Sequence, residues 1–293
     1  MTLIDDILLP ASLWTIMFSM GLSLTVDDFR RIAANRRALY VGIGSMLVVP
    51  PLIGLVFVSF FAPTPELAVG FILLATCPGG MLSNLMTDLA EGDLALSLSL
   101  SILVSMVYIV VVPFYAHFAI QHFIGVEAQV SVPLIDFVWK VFSITLIPAS
   151  LGLLLRTYRN DLALRIKGAV KILGTGVLVV AFGFILVDQI PVLREHFSSL
   201  FGVTLGMNLA NLAVALTLTT VFALVPKERV AIGIEHMIRQ EGTAIYIAVT
   251  IVGSREMSLP MIMNTPVALF LCIAFVFLSR RSLAESRAGA AKV

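Results

Sequence analysis

The sequence has few charged residues, no basic residues near its N-terminus and only two cysteines. Charged side chains make up 13% of the 293 residues and hydrophobic ones 59%, whereas about a quarter of an ordinary soluble domain is charged. This composition excludes a soluble globular protein and predicts an integral membrane protein. The start, MTLIDDILLP, is acidic where a cleavable signal peptide is basic, so we expect the first helix to be retained.

The two cysteines and the net charge also exclude several kinds of site. Cys77 and Cys272 lie in hydrophobic segments, with neither the spacing of a metal site nor a disulfide framework. The net charge of +1 gives no reason to expect a nucleic-acid partner. The partner expected from composition is therefore the lipid bilayer.

Apolar runs of about 20 residues, long enough to cross the hydrocarbon of a bilayer, can be counted along the chain. We predict an all-α membrane protein with nine transmembrane helices. The predicted spans are Leu8–Thr25, Ala38–Phe61, Glu66–Ala90, Asp93–Ile120, Val132–Arg156, Ile166–Asp188, Ser199–Leu224, Arg229–Val252 and Leu259–Leu278.

Basic residues predict the orientation of these helices, because cytoplasmic loops are enriched in lysine and arginine. Four follow the first predicted helix, including Arg30 and Arg31, five surround the fifth loop, two precede the eighth helix and four lie in the C-terminal tail. The opposite side has only Arg194 and Arg255. We therefore expect the N-terminus outside, the C-terminus in the cytoplasm, and the protein in a bacterial inner membrane.

Two of the predicted helices are interrupted by polar residues and glycine near their middles. The first reads LAVGFILLATCPGGMLSNLMTDLA and the second VAIGIEHMIRQEGTAIYIAV. Unwound backbone at membrane depth is tolerated only where protein or a cavity surrounds it. Paired breaks of this kind are typical of the ion and substrate sites of secondary transporters.

The positions of the breaks predict an internal repeat. The first four helices run long, long, broken, long, and the last four do the same, so five helices separate each element from its counterpart. This odd separation predicts an inverted-topology repeat with two broken helices that cross. The prediction divides the transporter unit, residues 1–293, into a first repeat at 8–120 (panel 8–61, core 66–120), a second at 132–280 (panel 132–224, core 229–280) and a disordered cytoplasmic tail at 282–293.

The run CPGGMLSNLMTDLAEGDLALSLSLS, from Cys77 to Ser101, resembles the bile acid:sodium symporter family in its glycines, its Ser-Asn pair and the serine-rich helix that follows. The resemblance extends to MFSMGLSL in the first helix and to GIEHMIRQEG, from Gly233 to Gly242, which falls where that family has its second broken helix. It implies a sodium-coupled importer of organic anions, in which a core domain moves against a panel domain.

One sodium site is expected on chemical grounds as well. Na⁺ requires several oxygen ligands, at least one of them anionic at mid-membrane. Glu235 supplies the anion, while Ser83 and Asn84 supply neutral oxygens; Ser97 and Ser101 share a helix face, and the resemblance implies that both belong to this site. The alternative is that such hydroxyls only join helices or bond back to carbonyls.

A second sodium site of the family is expected to be absent. The resemblance places glutamines at the positions of Met46 and Arg239. A thioether is a poor ligand for a hard cation, and a guanidinium has no lone pair to offer. We expect Arg239 to stand in for the second ion as a tethered cation paired with Glu235 or Glu241, the alternative being an arginine that merely extends to the interface.

Helix N-termini exposed by the breaks predict where an anion binds, because their free N–H groups attract carboxylates. The polar side chains Gln240 and Thr243 accompany them, and Asn208 and Asn211 share one face of the seventh helix, where they could equally join helices. The predicted substrate-binding residues are Gly79, Gly80, Met81, Gln240, Glu241, Thr243, Asn208 and Asn211.

Other functions remain open at this point. An intramembrane enzyme would need an activated nucleophile, and a channel would show a continuous polar stripe, so neither is expected. A sodium-independent carrier, either a uniporter or one linked to protons through Glu235 and His236, is the nearer alternative. The resemblance allows bile salts, sulfated steroids and small acids as substrates, and we expect a monomer.

Overall fold

A computed structural model describes residues 4–25, 36–125 and 133–290, and side chains within them except those of 282 and 284–290. Arg30 and Arg31 lie outside these ranges. The described chain is helical throughout its length and has no strand, which confirms the all-α prediction. The helices are α1 (Leu9–Ser23), α2 (Arg36–Phe61), α3 (Pro65–Thr76), α4 (Met81–Leu89), α5 (Leu94–Phe123), α6 (Leu134–Tyr158), α7 (Asn160–Asp188), α8 (Ile190–Val221), α9 (Pro226–Met237), α10 (Glu241–Tyr246) and α11 (Leu259–Ala290).

Short turns of other helical types extend two of these elements. A π-helical turn, Ile4–Leu8, precedes α1, and a second one, Ile247–Val252, continues α10 to Gly253, whose φ of 84° ends the segment. A 3₁₀ turn at Glu256–Ser258 then leads into α11. Because α11 runs to Ala290, the described part of the predicted disordered tail is helical instead.

Seven helices of the described chain are long and apolar enough to cross a bilayer, or eight if α3 and α4, which meet at a bend of 58°, count as one span. The chain is therefore a multi-pass membrane protein. The second predicted broken span is present as α9, α10 and the π-helical turn but is not one of these spans. Its Glu235, His236, Arg239, Gln240 and Glu241 make it more polar than a membrane span usually is, so the ninth span stays a prediction.

Local sequence signals explain where α3 begins and where the first broken segment is interrupted. Thr64 caps α3 by accepting a hydrogen bond from the backbone of Leu67 at 3.2 Å, and Pro65 occupies the first turn. Every residue of α3 from Leu67 to Thr76 is buried. Since backbone unwound at this depth needs protein around it, the break at 77–80 is placed in the centre of the molecule.

The helices pack in two groups. In the first group, α1 packs against α6 and α7, and Gly21 and Gly152 allow close approach: a Cβ on either would collide with the backbone of the facing helix. In the second group, α2, α5, α8 and α11 surround the broken segments α3/α4 and α9/α10. These contacts place α2 and α8 with the broken helices, whereas the predicted panel included both.

Candidate functional site

The two breaks meet at the centre of the second group. The backbone N–H of Gln240 donates to the carbonyl of Pro78 at 2.9 Å, which joins one break directly to the other. Gly79 leaves room for the carboxylate of Glu235, which a Cβ at this position would overlap and displace. Gly80 has room for a side chain, because a Cβ built on it would make an ordinary van der Waals contact of 3.5 Å with Gln240 Cβ.

Glu235, in the last turn of α9, lies in a shell of hydroxyl groups. Its Oε1 accepts from Ser83 Oγ at 2.7 Å, from Ser97 Oγ at 2.5 Å and from Ser101 Oγ at 3.1 Å, while Oε2 lies 3.3 Å from Ser101 Oγ. Ser83 comes from α4, and Ser97 and Ser101 come from α5. Glu235 and all three serines are 0% exposed.

Asn84 completes this cluster. Its Oδ1 lies 2.8 Å from Ser97 Oγ and 3.4 Å from Ser101 Oγ, as an alternative acceptor for these hydroxyls. The structure therefore brings together all five residues predicted for the sodium site. Thr87, which the sequence analysis missed, adds a hydroxyl that donates to Ser97 Oγ at 3.3 Å; its signal was the spacing of four from Ser83, which places both on one face of α4.

The cluster has more possible hydrogen-bond acceptors than its hydroxyl hydrogens can serve. Glu235 and Asn84 contribute three acceptor oxygens, and each serine has a single hydroxyl hydrogen to donate among them. The Ser83 hydroxyl is also within 2.7 Å of a second acceptor, the carbonyl of Gly80. Such a buried group of oxygens with one negative charge is the donor set that a hard monovalent cation prefers.

Arg239 takes a different partner from the one predicted. Its Nη1 donates to the carbonyl of Cys77 at 3.0 Å and its Nη2 to the carbonyl of His236 at 2.9 Å. Among the ion pairs of the described residues, none joins Arg239 to Glu235 or Glu241, so Arg239 makes neither of the two direct contacts expected for it. The guanidinium instead neutralises carbonyl oxygens at the C-terminal ends of α3 and α9, where helix dipoles place negative charge.

Met46 and His236 are both buried in this arrangement. Met46 is 3% exposed and lies in an apolar cluster with Leu39, Leu100 and Ile232. The imidazole Nδ1 of His236 is 2.8 Å from the carbonyl of Ile232, an atom that only accepts, so Nδ1 is the donor.

A cleft with an internal volume of about 80 Å³ separates α1 and α6 from the crossing point and α5. Its walls are mainly apolar, and its polar groups are few. Of the predicted substrate-binding residues, Gln240 and Thr243 line it, and the Thr243 hydroxyl is buried without a hydrogen-bond partner among the described residues. The sequence analysis did not find the other polar lining residues, Ser105, Tyr108, Thr145 and Ser150.

The remaining predicted substrate-binding residues lie elsewhere. Gly79, Gly80 and Met81 are at the crossing point but do not line the cleft. Asn208 and Asn211 line a separate, smaller cavity together with His236, Arg239 and Asn264. Glu241 turns away from the cleft: its Oε1 accepts from Asn264 Nδ2 and its Oε2 from Thr265 Oγ1, both at 2.6 Å.

Comparison with known proteins gives one family. The family model described as "Sodium Bile acid symporter family" matches residues 10–196. This range includes both serine-containing helices of the cluster and ends before Glu235.

Named relatives agree with this match. A "probable sodium/metabolite cotransporter" of the Oryza sativa chloroplast is 28% identical over 59% of this chain and 40% of its own length. An "uncharacterized sodium-dependent transporter" of Bacillus subtilis is 40% identical over 33% of this chain and 30% of its own, and "sodium/bile acid cotransporter 4" of Rattus norvegicus is 27% identical over 75% of this chain and 51% of its own. The chain thus spans about half or less of the length of these relatives.

Proposed function

We propose, because the chain belongs to the sodium bile acid symporter family, that it is a secondary transporter that imports an organic anion together with Na⁺. The chain is a transporter by family and not an enzyme. The observation that carries the proposal is the buried oxygen cluster around Glu235. The named relatives, described as sodium-dependent or sodium/metabolite transporters, support the choice of sodium.

In this proposal the Na⁺ site comprises Glu235, Asn84, Ser83, Ser97 and Ser101. Each hydroxyl that now donates to Glu235 can rotate its hydrogen away and turn a lone pair toward an ion. The carboxylate supplies the charge that offsets dehydration of the ion, since neutral oxygens alone are insufficient at this depth. Ser83 and Asn84 come from α4, Ser97 and Ser101 from α5 and Glu235 from α9, so an ion bound here ties three helices together.

Arg239 makes a second Na⁺ unnecessary in this chain. Its guanidinium already occupies the carbonyls of Cys77 and His236, which are the kind of oxygens that a second cation would use. Met46 offers a thioether instead of an oxygen. We therefore propose one Na⁺ per transport cycle, with Arg239 as a permanent substitute for the second.

The cleft is the proposed substrate site. Its apolar walls suit the hydrophobic body of an organic anion, while Gln240 and Thr243 offer hydrogen bonds to a carboxylate or sulfonate. Among the described residues, Gln240 Nε2 donates to a sulfur acceptor alone, Met17 Sδ at 3.3 Å, so an anionic oxygen would be a better partner. The backbone of Gln240 is joined to the first break through Pro78, which couples the substrate position to the sodium cluster.

Movement of α1, α6 and α7 against the other helices is the proposed transport step. The cleft lies beside Leu24, at the C-terminal end of α1. At the opposite end, Arg255 forms ion pairs of 2.9 Å with Asp5 and with Asp188, which belong to the moving group. The hydrogen bond to Asp188, and after it the one to Asp5, raises the pKa of Arg255, so its side chain stays charged. We call Arg255, Asp5 and Asp188 the Arg255 latch, and we propose that it holds this end closed while the cleft is open.

A thermal-shift measurement on the purified full chain tests the proposal. The protein is titrated with taurocholate, pyruvate and pantoate in NaCl and, as the matched control, in choline chloride. We expect at least one anion to raise the melting temperature more in NaCl than in choline chloride. Equal stabilisation in both salts would leave the sodium-independent carrier as the function.

A further inference from the structure

Glu241 is a second acid in the membrane-embedded part of the protein, and none of the ion pairs of the described residues neutralises it. Both of its carboxylate oxygens are bound by neutral donors of α11, Asn264 and Thr265, at 2.6 Å each. An unpaired charge of this kind is costly in a membrane and is by default a functional group. The question is which cation it takes.

A chain of hydrogen bonds determines the orientation of the Asn264 amide. Asn208 Nδ2 donates to the carbonyl of Thr204 at 2.9 Å, and since a carbonyl only accepts, this atom is a nitrogen. The same nitrogen donates to Asn264 at 2.7 Å, so the Asn264 atom facing it is Oδ1. Asn264 therefore presents its NH₂ group to Glu241 and has its oxygen committed elsewhere.

Thr265, in contrast, has two possible acceptors. Its hydroxyl lies 2.6 Å from Glu241 Oε2 and 3.3 Å from the carbonyl of Met261. When Glu241 is ionised, the hydroxyl donates to Oε2. When Oε2 carries a proton, the hydroxyl can accept from it and donate to Met261 instead, so every hydrogen bond is satisfied in both states.

This geometry favours a proton over a metal ion. A Na⁺ at Glu241 would need several oxygens, but the Asn264 oxygen is turned toward Asn208. The cluster at Glu235 differs, because there Asn84 presents its oxygen to the hydroxyls. We infer that Glu241, held by Asn264 and switched by Thr265, is a proton-binding site separate from the sodium cluster.

Few titratable groups face Glu241. The elements packed against α10 are α1, α3, α11 and the two short turns, and α1 has no titratable residue. At the breaks, the titratable groups near α10 are the Cys77 thiol, which lies 3.4 Å from the Tyr108 hydroxyl, and Arg239, which is bound to carbonyls. The other groups on these elements whose side chains are described are Glu66 in the first turn of α3, Tyr246, Glu256, which accepts from Thr64, and Cys272, Arg280 and Arg281 on α11.

The position of Glu241 links its protonation to transport. This link rests on the proposed function. The next residue, Gly242, lies at the seam between the two helical groups: a Cβ there would meet Leu13 of α1 at 3.1 Å and Leu178 of α7 at 3.2 Å. Movement of α1 and α7 therefore changes the hydration of Glu241. Protonation forms one O–H bond at Oε2 with a proton taken from water on one side, and the reverse step returns that proton to water on the other.

Infrared difference spectroscopy on the purified full chain in lipid tests this site without a substrate. Spectra at about pH 5 and about pH 9 reveal the C=O stretch of carboxylic acids that gain a proton. Glu241→Gln keeps the hydrogen bonds of the protonated acid, because its amide can donate to Thr265 and accept from Asn264. Glu66→Gln and Glu235→Gln are the matched controls, and Thr265→Val with Thr265→Ser tests the switch.

We expect one C=O band that is present in the unmutated protein and both controls and lost in Glu241→Gln. Thr265→Val should move that band to higher wavenumber, because the acid proton loses its acceptor, and Thr265→Ser should restore it. A spectrum of Glu241→Gln identical to that of the unmutated protein would overturn the inference, even if anions bind with Na⁺. A Glu241 band without sodium-dependent anion binding would support the proton site and refute the proposed sodium coupling.

Discussion

Arg239 Nη1 donates a hydrogen bond of 3.0 Å to the carbonyl oxygen of Cys77. The two residues belong to different breaks, and the second hydrogen bond, to His236 at 2.9 Å, holds the guanidinium between the C-terminal ends of α3 and α9. A fixed cation therefore sits where helix ends concentrate negative charge. This relationship underlies the proposed sodium stoichiometry.

The first prediction is that sodium dependence is shallow and that the double variant Arg239→Gln, Met46→Gln makes it steeper. With Arg239 in place, the sodium dependence of stabilisation should have a Hill coefficient of about one. The variant removes the fixed charge and supplies two amide oxygens, so a second ion can bind. A coefficient clearly above one in the unmutated protein, measured by sodium titration of the melting temperature, would refute the substitution.

The neutral oxygens of the cluster are tested by Ser83→Ala with Asn84→Ala. This change removes two ligands but no charge, so sodium affinity should fall at least about tenfold, equivalent to about 1.4 kcal/mol. Ser99→Ala is the matched control, because the Ser99 hydroxyl donates to the carbonyl of Ala95 within its own helix. A sodium midpoint unchanged by the double variant would exclude Ser83 and Asn84 as ligands.

A single methyl group at Gly79 should disable the same cluster. The Cβ of Gly79→Ala would overlap the Glu235 carboxylate and displace it, whereas Gly80→Ala adds a methyl that meets Gln240 Cβ at an ordinary 3.5 Å. We expect Gly79→Ala to lose sodium-dependent stabilisation and Gly80→Ala to keep it. Equal sodium-dependent stabilisation of the two variants would show that sodium binding does not depend on the position of the Glu235 carboxylate.

The Arg255 latch is tested through a buried position at the seam. Leu13 is 2% exposed, and a thiol introduced by Leu13→Cys should react slowly with a charged maleimide. Adding Arg255→Gln should speed labelling about fivefold, as expected for two partly exposed ion pairs worth about 1 kcal/mol together. Adding Glu256→Gln to Leu13→Cys is the control and should leave the labelling rate unchanged, because Thr64, the partner of Glu256, lies within the second group. An equal rate in Leu13→Cys alone and in both double variants would contradict the latch.

Local patterns were enough to predict an all-α membrane protein and to name five residues that meet in the buried oxygen cluster. Glycines and polar residues marked both breaks, and the four-residue spacing of Ser97 and Ser101 placed them on one face. The packing of α2 and α8 with the broken helices differs from the predicted panel, because it depends on contacts between helices far apart in the chain. The direction of Glu241 depends on Asn264, 23 residues later, and the partners of Arg239 are backbone carbonyls, which have no sequence signature.

The central claim is that Glu235 is the anionic ligand of a coupling sodium ion, and sodium-dependent thermal stabilisation of Glu235→Gln tests it most directly. The amide keeps the size of the side chain but removes the charge that offsets dehydration of the ion. With choline chloride as the reference salt and Glu66→Gln as the control, we expect NaCl to stabilise the unmutated protein and the control but not Glu235→Gln. Unchanged sodium-dependent stabilisation in Glu235→Gln would contradict the account.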